Sequence, residues 1–418
     1  MHTIPISQPI ETHTRQSSVA LIARQAIVNA QGQVVGHELF NRSRNHAAHT
    51  AASDMMLALT ALSHAGVDEL MGETLIFVNC THESLVEGHL NLLDPRRVIL
   101  EIPPLGHTAA EEVKTRLPNL QALHERGFRL AFNQTVLESA YSAWLPLADF
   151  IKIDLSVLPA DQVTVLVKYA KRQTEARLIA EKIETAAQQE LLSGLGVQLF
   201  QGYWLSRPQL VEAHLQFPTQ ASIDHLMHLV RGAASHQDIA NWVKQDAVLS
   251  FNLLRLLVTS GICPPDGPMS VEHAVSLLGH NRIGCWTELL QTFRVTSDFT
   301  PAPARSAVLC GRYMELLARA QQLPKIVCNQ AFMVGLISQL GELLHISAPA
   351  ISSLLHLPES VRDAVLQQAG YLGALLSLTQ TLEFSEEAKV EHAALALRLT
   401  THQLHEARSK AMEWAQVA

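Results

Sequence analysis

Basic runs, long apolar stretches, paired cysteines and aromatic residues are all scarce in this 418-residue chain, and each shortage excludes a class of function. Lys and Arg number 31 against 39 Asp and Glu, giving a formal charge of −8 with no basic tail. The electrostatic footprint of a nucleic-acid binder is therefore missing, and neither DNA nor RNA is expected as a partner. Five cysteines (Cys80, Cys263, Cys285, Cys310 and Cys328) are odd in number and widely separated, with no C-x-x-C, which argues against a disulfide framework or a zinc knuckle. They read as reduced, mostly buried thiols. No stretch reaches the ~18 uninterrupted apolar residues of a membrane span, and MHTIPISQPIETHTRQSS at the start lacks the charged-then-apolar pattern of a signal peptide. A cytoplasmic protein without a membrane partner is expected.

What is present is apolar residue in quantity: 48% of the chain is hydrophobic and only 17% charged, enough for large cores. The length points to two domains. The first half alternates short runs rich in Val, Ile, Leu and Phe with longer segments of helical spacing, the pattern of a parallel sheet with crossover helices. Eight runs stand out: QAIV from Gln25, VVGHELF from Val34, TLIFVN from Thr74, RVILEI from Arg97, FRLAFN from Phe128, FIKID from Phe150, ARLIAEK from Ala176 and QLFQGY from Gln198. The first two are joined only by NAQGQ, too short for a crossover helix, so they should pair antiparallel. The expected fold is α/β plus all-α: a (β/α)8 TIM-like barrel with one antiparallel strand, then a helical domain. Ile223, Leu226, Met227 and Val230 open the helical spacing of that second half. The expected organisation is an N-terminal tail over 1–17, the barrel over 18–208, a connector over 209–219 and the helical domain over 220–418.

Polar residues gather at the carboxyl ends of the runs, where barrels of this kind build their sites: Asn79, Glu101, Asn133, Asp154, Glu181 and Gln201. Lys152 and Asp154 are two apart on one strand and point to the same side, as a phosphate-orienting pair or a structural ion pair. Glu184 follows Glu181 by three, so a helical turn there would put both carboxylates on one face. Glu38, Asn79 and Glu101 offer oxygens suited to a hard cation such as Mg²⁺.

The ordered set GHELFNR from Gly36, FVN from Phe77, LEI from Leu100, FIKID from Phe150, AEKIET from Ala180 and QGYWLSRP from Gln201 resembles the EAL domain, from about Ser18 to Pro208. That resemblance implies a (β/α)8 barrel that hydrolyses cyclic di-GMP with two divalent metals. By position it implies metal ligation by Glu38, Asn79 and Glu101, a phosphate contact at Arg42 and a lysine near the attacking water at Lys152. Glu181, Glu184 and Gln201 match further site residues, and Gln25 matches a glutamine near the ligand. Dimerisation through the barrel is also implied. Four departures stand against it. Asn133 and Gln134 replace two adjacent aspartates, Glu38 sits in ELF, Pro103 and Pro104 follow Glu101, and Lys182 replaces a glycine.

In the second half, QDAVLSFNLLRLLVTSG from Gln245, SVEHAVSLLGHNRIGCWTELL from Ser270 and AFMVGLISQLGELL from Ala331 resemble an HDOD domain, a helical module related to HD phosphohydrolases without their metal site. Despite 21 histidines the chain has no His-Asp dipeptide, and Ser338 and Gln339 stand where such a pair would be sought. Phe251, Leu253, Leu254, Leus 256 and 257, and Trp286 are expected in the core.

Loss of two carboxylates from a two-metal clamp removes charge needed to generate hydroxide and stabilise an in-line transition state. From this the leading expectation is a non-enzymatic signalling regulator that works through protein partners in a cyclic di-GMP or two-component pathway. On this reading Lys152 and Glu184 are vestigial catalytic positions, Glu38, Asn79 and Glu101 are vestigial metal ligands, and no cofactor is expected. Gln25, Arg42, Lys152, Asp154, Glu181 and Gln201 remain candidates for ligand contact. The alternatives are a cyclic di-GMP-binding effector that does not hydrolyse its ligand, and a weak phosphodiesterase using Mg²⁺ or Mn²⁺.

Overall fold

Short apolar runs separated by crossovers close into a barrel here because each strand has two apolar faces to bury, one against its neighbours' interior side chains and one against the outer layer. A computed structural model of the chain describes residues 18–41, 74–86, 88–106, 110–215, 217–292, 302–384 and 387–416. In it, β1 (Ser18–Asn29), β2 (Val34–Asn41), β3 (Leu75–Asn79), β4 (Val98–Ile102), β5 (Arg129–Asn133), β6 (Ala148–Asp154), β7 (Arg177–Glu181) and β8 (Leu199–Phe200) form a closed sheet. All eight runs read from the sequence are strands. β1 pairs antiparallel with both β2 and β8, while β2 through β8 pair in parallel. The reversal is made at the NAQGQ turn. There Asn29 Oδ1 accepts from the backbone N–H groups of Gln31 and Gln33, and Gly32 takes a φ of 78° that a side chain would resist.

A ninth strand, β9 (Gln209–Leu215), pairs antiparallel with the first half of β1, from Ser18↔Leu215 to Arg24↔Gln209. The segment expected as a connector thus holds a strand tied to the barrel by its ladder. Helices α1 (Ala110–Glu125), α2 (Ala160–Gln173) and α3 (Ala186–Gly194) make returns on the outside, whereas β5 returns to β6 through three 3₁₀ turns.

The barrel interior is a single apolar plug of Ile27, Phe77, Ile99, Ala131, Phe150, Ile179 and Leu199, one from each strand except β2. At β2 the matching position is Gly36, where a Cβ would sit 2.8 Å from the Leu75 carbonyl oxygen and 3.0 Å from the Phe77 ring. That vacancy lets Phe77 meet Phe150 edge-on, with ring centroids 5.3 Å apart.

The second half is helical: α4 (Gln220–Arg231), α5 (His236–Val243), α6 (Ala247–Thr259), α7 (Val271–Thr292), α8 (Ala302–Ala320), α9 (Lys325–Leu344), α10 (Ala348–Leu354), α11 (Glu359–Gln367), α12 (Gly370–Phe384), α13 (Glu387–Ala396) and α14 (Thr401–Gln416). Gly279 breaks the helical dihedrals within α7. α8 and α9 cross closely: a Cβ on Gly335 would sit 2.7 Å from the Gly311 backbone, and one on Gly311 would sit 2.8 Å from the Phe332 carbonyl oxygen. Phe251, Leu253, Leu254, Leu256, Leu257 and Trp286 are all buried, as expected of core residues. By length and composition alone α9 would pass for a membrane span, but most of it is buried against its neighbouring helices. None of the five cysteines is in a disulfide; only Cys328 is fully buried and the other four are half-buried, a correction to the expectation of mostly buried thiols.

The two halves touch through the segment between β3 and β4. The backbone N–H of Asp94 donates to the Thr259 carbonyl at 3.2 Å, Arg96 Nη2 to the Gly261 carbonyl at 3.1 Å, and Arg282 Nε to the Asn91 carbonyl at 3.0 Å.

Within the helical half, Glu315 is fully buried and meets Lys244 at 3.0 Å, Arg312 at 2.8 Å and Arg319 at 2.6 Å. Burial alone would raise its pKa, but the three cations outweigh burial and hold it below the ordinary glutamate value. A carboxyl depressed in the folded state contributes stability that is present above its unfolded pKa and lost as pH falls through the folded one. Glu315→Ala should cost about 3–5 kcal/mol near neutral pH because Lys244 is left buried beside fewer counter-charges, and the gap to wild type should narrow below pH ~4.5. Urea unfolding at pH 7 and pH 4 checks this; a cost under about 1 kcal/mol at pH 7 contradicts it.

Candidate functional site

Side chains alternate along a strand, so the residue two beyond each plug position faces the barrel mouth. Phe77 is followed by Asn79, Ile99 by Glu101, Ala131 by Asn133, Phe150 by Lys152 and Asp154, Ile179 by Glu181, Leu199 by Gln201 and Gly36 by Glu38. On the reversed strand the step runs backward, from Ile27 to Gln25. Register then sets Gln25 opposite Glu38, Asn79 opposite Glu101, Asn133 opposite Lys152 and Asp154 opposite Glu181.

These residues, with Glu184, line one cavity of about 520 Å³ at the mouth. Phe40, Pro103, Pro104 and Tyr203 supply apolar walls. Arg42 lies outside the described residues. Gln134 sits behind the wall, its Oε1 accepting from the Asp154 backbone N–H at 3.2 Å.

The centre of the mouth is the Lys152 ammonium. Its Nζ lies 2.6 Å from Glu101 Oε2, 2.8 Å from Glu181 Oε1 and 3.0 Å from Glu38 Oε2, with only 6% of the side chain exposed. Lys152 and Asp154 do point to one side as expected, yet they do not pair. Asp154 instead meets Lys182 Nζ at 2.7 Å. Asn79 Nδ2 donates to Glu38 Oε1 at 3.0 Å, and Gln201 Nε2 donates to Glu38 Oε2 at 2.7 Å and to Gln25 Oε1 at 3.2 Å. Gln25 in turn donates to the Ser206 carbonyl at 3.0 Å. Glu181 and Glu184 do not share a helical turn: Lys182 takes a φ of 58°, and α3 starts only after its N-cap Thr185. The correction has a local cause, the capping box of Thr185 with Gln188, which fixes the helix start beyond Glu184.

The amide at position 133 has local work. Asn133 Oδ1 accepts from the Thr135 backbone N–H at 3.2 Å and from Thr135 Oγ1 at 2.5 Å, capping a 3₁₀ turn.

Three carboxylates around one ammonium are short of positive charge. Burial pushes the Glu101 carboxyl up to about 8, with the charges of Glu38 and Glu181 adding to it and Lys152 opposing. Glu181 is raised for the same reasons. For Lys152, burial would lower the pKa, but Glu101, Glu38 and Glu181 outweigh it and hold the ammonium above its ordinary value.

Among the described residues no three acid, histidine or cysteine groups stand as ready-made metal ligands, because the ammonium occupies the point on which the acids converge. The donor chemistry nevertheless fits a hard divalent cation: carboxylate oxygens from Glu38 and Glu101 beside the amide of Asn79. The buried Oε1 of Glu101 has no hydrogen-bond partner, leaving an acceptor to spare.

A folded-state carboxyl raised above its unfolded pKa lowers stability as pH climbs between the two values. Lys152→Met removes the cation that contacts all three acids, so it should cost about 3–5 kcal/mol at pH 8 and clearly less at pH 6, where protons take its place. Urea unfolding at both pH values tests this, and an equal cost at the two would contradict it.

A family model of the EAL domain matches residues 8–208 and one of the HDOD domain matches residues 219–363. The chain is 25% identical over 402 residues to a Vibrio cholerae protein named cyclic di-GMP phosphodiesterase CdgJ, covering 94% of this chain and 92% of that relative. It is 24% identical to YuxH of Bacillus subtilis over 410 residues, covering 94% and 97% respectively. A 129-residue stretch, 28% of this chain and 17% of the relative, is 35% identical to Escherichia coli PdeA, named a probable cyclic di-GMP phosphodiesterase. The solved EAL domain of Mycobacterium smegmatis DcpA is 23% identical with a TM-score of 0.37 over 45% of this chain and 93% of that one.

The expectation that the chain is not an enzyme is corrected by these relatives, two of which are named phosphodiesterases. That expectation rested on the amides at Asn133 and Gln134, whereas the carboxylates of Glu38, Glu101 and Glu181 converge on Lys152. In domain content and order, the chain is an EAL–HDOD protein.

Proposed function

We propose that the barrel is a cyclic di-GMP phosphodiesterase that works with a divalent cation. The observation that carries the reading is the convergence of Glu38, Asn79, Glu101, Glu181, Lys152 and Gln201 in one cavity at the carboxyl ends of the strands. A relative aligned over both halves and named for that activity supports it. Glu38, Asn79 and Glu101 are the residues that would hold the cation. When bound, such a cation supplies Lewis-acid polarisation of a phosphate oxygen and lowers the pKa of water.

The chain's own groups prepare the rest. Gln201 and Asn79 both donate to Glu38 and fix its carboxylate plane. Lys152 neutralises the acids and keeps them from repelling one another, while the apolar plug beneath seals the floor against bulk water. Phe40, Pro103, Pro104 and Tyr203 offer flat or rigid apolar surface for a nucleobase. Asn133 and Gln134 add no charge at this mouth, so the metal requirement falls on Glu38, Asn79 and Glu101.

The helical half is assigned a regulatory role towards a protein partner. Its contact with the β3–β4 segment supports this, since that segment joins the strands carrying Asn79 and Glu101.

Purified full-length protein with Mn²⁺ or Mg²⁺ should convert cyclic di-GMP to a linear dinucleotide, followed by chromatography, and Glu38→Ala should reduce turnover to background. Burial raises the Glu101 carboxyl above its ordinary value, so a cation and a proton compete for it. Turnover at sub-saturating Mn²⁺ should therefore rise from pH 6 to pH 8. Turnover undiminished in Glu38→Ala, or no turnover in the wild type, contradicts the reading.

A further inference from the structure

The mouth carries a second cation for which the hydrolytic reading has no use. Lys182 follows the last residue of β7 with a φ of 58°, in the left-handed region that glycine enters freely and lysine does not. This backbone is held from both sides: Ile183 N–H donates to the Gln201 carbonyl at 3.0 Å, and Trp204 N–H donates to the Ile183 carbonyl at 3.1 Å. Gly202 packs against the Ile183 backbone so closely that a Cβ would find no room. The turn is therefore fixed, and it sends the Lys182 side chain across the mouth to Asp154.

The two lysines of the cavity stand in opposite situations. Lys152 is saturated by three carboxylates and almost wholly buried. Lys182 is 58% exposed, contacts Asp154 Oδ2 at 2.7 Å and Ser156 Oγ at 3.1 Å, and lines the same cavity. An ammonium has three donors, so one remains after these two contacts. Asp154 is itself shared, since its Oδ1 already accepts from the backbone N–H and the hydroxyl of Ser156. The described wall of the cavity otherwise carries the acids Glu38, Glu101, Asp154, Glu181 and Glu184. An anionic ligand entering such a wall meets repulsion unless a cation with a spare donor stands at the rim.

We propose that Lys182 is a substrate-binding residue, whose ammonium donates to a phosphate oxygen of a cyclic dinucleotide and so offsets the acidity of the mouth. This rests on the reading that the cavity takes cyclic di-GMP. Strained backbone retained at a cavity rim accords with it, because a glycine would relieve the strain and lose the charge.

Three variants separate charge from fold: Lys182→Met keeps the stem, Lys182→Arg keeps the charge, and Lys182→Gly relaxes the backbone. Two readouts are taken in the full-length protein: KM and kcat with Mn²⁺, and calorimetric Kd for cyclic di-GMP with Ca²⁺ in place of Mn²⁺. A charge-assisted hydrogen bond predicts a roughly 10-fold rise in KM and Kd for Lys182→Met, with kcat within about two-fold of wild type. Lys182→Arg should recover most of that loss. Lys182→Gly should bind as weakly as Lys182→Met while its Tm equals or exceeds that of wild type, which excludes misfolding as the cause. Unchanged KM and Kd in Lys182→Met overturn the assignment and leave the phosphodiesterase reading standing. A wild type that binds without turnover, with binding weakened in Lys182→Met, overturns the phosphodiesterase reading and leaves the assignment standing. A wild type that neither binds nor turns over cyclic di-GMP overturns both.

Discussion

One ammonium shared by three carboxylates organises the mouth of this barrel. Lys152 reaches Glu38 on β2, Glu101 on β4 and Glu181 on β7, so a single side chain on β6 ties together strands on several sides of the cavity. Such a hub is costly to bury and is tolerated only when the groups around it are paired and hydrogen-bonded. Asn79, Gln201 and Gln25 provide that shell, each pointing inward for the same reason of strand periodicity. Beneath it the apolar plug fixes which residue of each strand faces the cavity. A one-residue slip would replace a site residue with an outward-facing neighbour, Leu100 or Ile102 in place of Glu101 and Ile151 or Ile153 in place of Lys152.

The same arrangement relates the two halves of the chain. Asn79 ends β3 and Glu101 lies near the end of β4, and the segment between these strands is where the helical half takes hold through Asp94, Arg96 and Asn91. Contact between α7 and that segment is close: a side chain at Gly88 would sit 3.0 Å from the Cys285 sulfur. A shift of the helical half therefore bears on the strand connection that carries two oxygen donors of the mouth. The helical half has its own charged centre in Lys244, Glu272 and Glu315, with Lys244 also 4.2 Å from the Phe332 ring centroid. That network is enclosed by helices and serves their packing.

Much of the barrel was legible in the sequence because period-two alternation and short apolar runs are local signals. All eight strands, the reversed first pair and the inward polar set from Asn79 to Gln201 follow from them, whereas Gln25 was marked only by the family resemblance. What could not be read is pairing across the cavity. Lys152 and Asp154 are neighbours in sequence, yet their partners are Glu101 on β4 and Lys182 beyond β7, set by barrel closure rather than by spacing. Glu181 and Glu184 look like one helical face until the Thr185 cap is seen to start the helix later. β9 carried no strong signal either, since its ladder to β1 depends on where the long first strand passes. The amides at 133 and 134 suggested the end of catalysis, while the convergence of Glu38, Glu101 and Glu181 on one ammonium is set by barrel closure and carries no local signal.

The most direct test of the central claim, that these acids form a cation site for phosphodiester hydrolysis, is a crystal structure grown with Mn²⁺ and cyclic di-GMP, read by anomalous scattering at the manganese edge. The account predicts an anomalous peak within coordination distance of Glu38, Asn79 and Glu101, with Lys152 displaced from at least one of its three carboxylates. A well-ordered mouth with ligand bound, no anomalous peak and the Lys152 hub intact would contradict it.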